Sequence, residues 1–104
     1  MSISYQSKDD RVLSIALKTQ ELVVRKSDTI VSVVGLDVTV DMGEPVVGSA
    51  AGEAKPVVLH CDDSVGISLI ASAGIAVSGS QVTASLSAAM ADADALIIKY
   101  VVRE

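Results

Sequence analysis

The sequence predicts an all-β fold: a small antiparallel β-sandwich with one short helical crossover. Three observations lead there. Half of the 104 residues are hydrophobic, yet Trp and Phe are absent and Tyr5 and Tyr100 are the only aromatics, so Val, Ile, Leu and Ala must fill the core. Stiff β-branched side chains suit a pleated surface. Apolar residues also alternate with polar ones over short runs, the two-residue period of a half-buried strand. Turn residues then punctuate those runs, and no strand–helix–strand rhythm appears, which disfavours a parallel α/β sheet.

The elements follow in order. RVLSIALK sets Leu13, Ile15 and Leu17 on one face and Val12, Ser14 and Ala16 on the other. ELVVRK is the next strand, after a short polar turn. TIVSVVGLDVTVD is a long run with Ile30, Val34, Leu36, Val38 and Val40 as its apolar members. Gly35 inside it calls for a bulge or a break into two strands. Asp37, Thr39 and Asp41 alternate against Val38 and Val40, so that stretch should be half-exposed. DMGEPVVGSAAGEAKP holds both prolines and several glycines and reads as a long, mobile surface loop.

PVVLHC resumes a buried strand, with Pro56 at the position where a proline is tolerated. DDSVG is a turn, and ISLIAS, GIAVSG and QVTASLS are short strands. SGSQ, between Val77 and Val82, is a tight hairpin connection. SAAMADADA contains good helix formers with Ser87 as N-cap, so one or two helical turns are expected there. ALIIKYVVRE closes the chain as a strand, with Leu96, Ile98, Tyr100 and Val102 on one face and Ile97, Lys99, Val101 and Arg103 on the other. The pattern shows no internal repeat or domain boundary. Residues 1–104 are expected to form a single sandwich domain, immunoglobulin-like or jelly-roll-like.

Charge and composition narrow the function classes. The net charge is −5, and Arg25–Lys26 is the one adjacent basic pair. A nucleic-acid partner normally needs a clustered positive footprint, often with stacking aromatics. No apolar run approaches membrane-spanning length, so no membrane partner is expected. Cys61 stands alone, which rules out an intrachain disulfide and argues against a disulfide-built secreted domain. MSISYQSKDDRV carries no apolar signal core, so synthesis and folding in a cytoplasm are expected. A carbohydrate-binding sandwich is disfavoured by the near absence of stacking aromatics.

The residues with the most chemistry are in LHCDD. His60, Cys61, Asp62 and Asp63 are all potential metal ligands or acid–base groups. Neighbours on a strand point to opposite faces, so His60 and Cys61 cannot easily address one target. The favoured reading is a strand end running into an acidic turn, with Cys61 inert. Asp9 with Asp10, and Asp92 with Asp94, lack the loop spacing of a calcium site and read as solvated turn acids. No G-x-S-x-G elbow or phosphate-binding loop occurs. No catalytic, cofactor-binding or metal residue is assigned, no cofactor is expected, and the chain is not expected to be an enzyme.

At DRVLSIAL, VVRKSDTIVSVV and especially GIAVSGSQVTASLSAAMADADALIIKYVVRE, the chain resembles the immunoglobulin-like modules of bacteriophage tail, baseplate and head-accessory proteins. The likeness is one of pattern: a glycine-started strand, a V-x-A-x-L-S strand, an alanine-rich crossover, then a closing strand with a Tyr near its end. The resemblance implies a non-enzymatic structural protein located in the virion, and in the host cytoplasm during assembly. It would serve as a capsid decoration, minor capsid or head–tail accessory component. The implied partners are copies of itself, a trimer being one form, and major capsid or tail proteins. Contacts would come from strand edges and Val/Ile/Leu burial, with the residues up to Asp10 and the loop after Met42 as arms. The alternative is a small acidic inhibitor or host-takeover protein, whose mark would be carboxylates gathered on one face.

Overall fold

The computed structural model describes residues 19–103. Eight strands form two four-stranded antiparallel sheets, as expected for a small β-sandwich. They are β1 (Thr19–Arg25), β2 (Val31–Val34), β3 (Asp37–Asp41), β4 (Val57–Asp62), β5 (Gly66–Leu69), β6 (Ile75–Ser78), β7 (Gln81–Ser85) and β8 (Ala95–Val101). One sheet has the order β1-β8-β4-β5, the other β2-β3-β7-β6. Three hairpins, β2–β3, β4–β5 and β6–β7, alternate between the sheets, and the connections between them cross the sandwich. Among the described strands β1 lies beside β8, whereas an immunoglobulin sandwich sets its first strand beside its second.

Local chemistry explains the hairpins. Val34 pairs with Asp37 across the two-residue loop Gly35–Leu36, and Ser78 pairs with Gln81 across Gly79–Ser80. Gly35 and Gly79 each have φ of 60°, while no non-glycine residue among the described residues has positive φ. A positive φ at the first loop position alone is the pattern of a type II′ turn, whose twist matches the flanking strands. Gly35 therefore divides its run into two strands. The wider β4–β5 turn is held by Asp62, whose Oδ1 accepts from Ser64 N, Ser64 Oγ and Val65 N at 2.8, 2.8 and 3.2 Å.

The core lies between the sheets. Val24, Val58, Leu96, Ile98 and Tyr100 from one sheet meet Val38, Val40, Ile75, Val82 and Ala84 from the other in a single apolar cluster. The expected inward face of β8 (Leu96, Ile98, Tyr100) is buried. Tyr100 donates its hydroxyl to Gln20 Oε1 at 3.1 Å, as a buried tyrosine must find a partner. Of the apolar residues in the long run, Val38 and Val40 are buried, while Ile30, Val34 and Leu36 face solvent.

Two expectations fail. The alanine-rich crossover is not helical; it runs irregularly from Leu86, with a bend at Ser87–Ala88 and one turn at Asp92–Ala93. The one helical turn among the described residues is a 3₁₀ turn at Ser72–Gly74. A stretch this short offers too few helical hydrogen bonds to offset nucleation. The irregular path instead buries Leu86, Met90 and Asp94 on its way to the other sheet.

The segment from Met42 to Pro56 has no regular strand, as expected, but it is stitched to the sandwich rather than left as a free arm. Val46 is buried and bridges Val102; its N–H donates to Gly79 O, and Val47 N–H donates to Val101 O. Glu53 Oε1 accepts from Gly48 N and Ala50 N at 3.1 and 3.0 Å and from the Arg103 guanidinium. The expected first strand RVLSIALK, the Asp9–Asp10 pair and the N-terminal arm up to Asp10 lie outside the described residues.

Candidate functional site

Strand alternation sends His60 inward and Cys61 outward, as the LHCDD spacing predicted. What the spacing did not predict is the partner waiting inside. His60 is 3% exposed and Asp94 1% exposed, and they are the two buried polar side chains among the described residues. His60 Nε2 donates to Asp94 Oδ2 at 2.9 Å, because an ionised carboxylate can only accept. Ala91 N donates to the same oxygen at 2.9 Å, and Asp63 N donates to Asp94 Oδ1 at 3.3 Å. Asp94 therefore belongs not to a solvated acidic turn but to a buried network joining the crossover to β4. The hydrogen bond from Ala91, then the one from His60, holds its carboxyl below the usual aspartate range despite the opposing effect of burial.

Asp62 completes a group of three potential metal ligands: one ligand atom each from His60, Asp62 and Asp94 lie within 4.8 Å of one another. Both carboxylates are already engaged in hydrogen bonds. Asp94 takes three donors and Asp62 Oδ1 takes three of its own, which lowers the Asp62 carboxyl, chiefly through the Ser64 hydroxyl. No buried side-chain polar atom among the described residues lacks a partner. The Ser64 hydroxyl donates to Asp62, not to His60, so these groups do not align as a nucleophile and its base. The arrangement works as a clasp: it fixes where the chain re-enters the first sheet to begin β8.

Outside the clasp lies an open cleft of about 300 Å³ lined by Arg25, Cys61, Asp62, Asp63, Ile67 and Ala95 among others. It is one end of a larger feature. The outer face of the β1-β8-β4-β5 sheet carries Val23, Ile97, Leu59 and Leu69 in one continuous row, set by the registers Val23↔Ile97, Leu59↔Ile97 and Leu59↔Leu69. The neighbouring row reads Arg25, Ala95, Cys61 and Ile67, and the row on the other side Glu21, Lys99 and Val57. Ile67 is 70% exposed, Leu69 67% and Val23 53%.

The outer face of the second sheet is mostly polar. It presents Ser32, Asp37, Thr39, Asp41, Gln81, Thr83 and Ser85, with Val34 and Ala76 as apolar members at its two edges. Thr39 and Thr83 share a hydrogen bond at 3.0 Å, and Ser85 and Ser80 donate to Asp37 and Asp41. The two outer surfaces differ because the outward positions at the middle of the first sheet are mostly apolar and those at the middle of the second, on β3 and β7, are polar. Exposed aliphatic residues scattered singly need no explanation, but a row that crosses all four strands does. Sequence reading found the surplus of apolar residues without placing it, because each member sits on a different strand.

No known protein family matches the chain, and no curated protein or solved structure matches it either.

Proposed function

We propose that this protein is a non-enzymatic structural component of a bacteriophage virion. In this reading it acts as a capsid decoration, minor capsid or head–tail accessory protein, working through the outer face of the β1-β8-β4-β5 sheet. The observation that carries the reading is the row Val23–Ile97–Leu59–Leu69, exposed at Val23 and Leu69 and half-buried at Ile97 and Leu59, on a sandwich whose other side is mostly polar. An isolated domain gains nothing by leaving such a row in water; burial against a subunit recovers about 25 cal/mol for each Å² of apolar surface. The placement in a virion rests on the sequence resemblance to phage structural modules. In a particle holding many copies, contacts weak one by one add through avidity. The acidic-inhibitor reading has less support, since Asp37 and Asp41 are tied to serine hydroxyls and Asp94 is buried.

Immunogold electron microscopy with an antibody to the folded chain tests the proposal. Label arrayed on capsids or tails is the expected result. Unlabelled particles, with the chain recovered only free in the lysate, would overturn it.

A further inference from the structure

The apolar face has a symmetry that points to its occupant. Val23 sits midway between Glu21 and Arg25, the two outward charges of β1, and it begins the central row. A two-fold axis lying along that row, between two sheets packed face to face, brings each row residue against its own counterpart. The same operation exchanges the two flanking rows. Glu21 then faces the partner's Arg25, and Arg25 faces the partner's Glu21, so one contact yields two opposite-charge pairs. Val57 meets the partner's Cys61, and Lys99 meets the partner's Ala95; no like charges are opposed along the three rows. An axis running along the strands instead would set Glu21 and Arg25 over the apolar β4–β5 side, leaving both charges unmatched.

We propose that the outer face of this sheet binds a second copy of the chain in a two-fold, face-to-face dimer centred on Val23–Ile97–Leu59–Leu69. The inference rests on the reading of this face as the contact surface and names its partner. A two-fold interface must be self-complementary, and this face is so in its apolar row and its flanking charges. Four strands at ordinary spacing make a patch roughly 15 Å wide, small beside the area a stable interface buries, so the dimer is weak and reversible.

Sedimentation velocity of the full chain over a wide concentration range tests it. The native chain should shift from monomer to dimer, and Leu69→Asp should stay monomeric. Glu21→Arg alone and Arg25→Glu alone should each weaken the dimer about tenfold or more, because each sets like charges face to face twice. The double variant Glu21→Arg/Arg25→Glu should recover to within about threefold of the native chain. Melting curves at a dilution where the native chain is monomeric separate lost pairing from lost folding. Single charge variants that dimerise like the native chain, or a double variant that fails to recover, would overturn the two-fold arrangement while leaving the face as a contact surface. A higher oligomer indifferent to Leu69→Asp would also overturn it, as would a chain that stays monomeric at every concentration. Either result is separable from the particle-labelling outcome.

Discussion

His60 Nε2 lies 2.9 Å from Asp94 Oδ2, and that bond ties β4, the first strand of the β4–β5 hairpin, to the crossover arriving from the opposite sheet. The two residues are 34 apart in sequence and both sit out of water. Removing one partner leaves the other buried and unmatched, which costs more than the bond itself contributes.

Asp94→Ala should therefore lower the melting temperature by about 5 °C or more, since a domain of this size moves several degrees for each kcal/mol. His60→Ala should do the same. The double variant should lose clearly less than the sum of the two, because the residues share one network. Additive losses in thermal denaturation would mean that the clasp is not a coupled unit.

Acid should weaken the fold in a defined window. The Asp94 and Asp62 carboxyls lie below the ordinary range, and Glu53 is pulled from 4.5 to about 2, chiefly by its hydrogen bond to Arg103. Each has a folded value below its unfolded one, so the unfolded chain takes up protons first. The stability these groups supply is present above about pH 4.5 and is lost as pH falls toward about 2. Urea unfolding at pH 7 and pH 3 should show the loss, and Asp94→Asn should flatten the slope between them.

The inner and outer faces of the β1-β8-β4-β5 sheet should respond differently to truncation. Leu96 and Ile98 are essentially buried, so Leu96→Ala or Ile98→Ala should cost about 2–5 kcal/mol. Ile67→Ala and Leu69→Ala, on the outer face, should stay within about 0.5 kcal/mol when measured on the monomer. Denaturant titrations of the four variants check the assignment of faces.

Gly48 should tolerate substitution less well than Gly35. Both have positive φ, but a Cβ at Gly48 would come within 3.1 Å of Lys55 Cα and Pro56 Cδ and 3.2 Å of Val77 Cγ2, whereas a Cβ at Gly35 meets nothing within 4 Å. Backbone strain alone costs roughly 1 kcal/mol. Gly48→Ala adds tight contacts with the Lys55 backbone and the Pro56 ring, neither of which can swing away, so its unfolding midpoint should fall further than that of Gly35→Ala.

Much of the fold was legible because its signals are local. The break at Gly35, the Gly79–Ser80 hairpin and the inward set Leu96–Ile98–Tyr100 all follow from turn chemistry or a two-residue period read within one segment. The failures are long-range. Ala88, Ala89 and Ala91 favour a helix, but Met90 and Asp94 are drawn into the interior by partners on other strands, and that tertiary pull overrides propensity. The glycine-rich stretch looked free because Val46 and Glu53 find Val102 and Arg103 more than forty residues away. The apolar row was invisible for the same reason: Val23, Leu59, Leu69 and Ile97 become neighbours only through pairing.

Carbene footprinting of the native chain at low and high concentration tests most directly which side of the sandwich makes contact. Val23, Leu59, Leu69 and Ile97 should become protected as concentration rises, while Thr39, Thr83 and Ser85 on the opposite face stay open. Protection of the threonine face with the apolar row unchanged, or an apolar row equally shielded at every dilution, would contradict the proposed dimer.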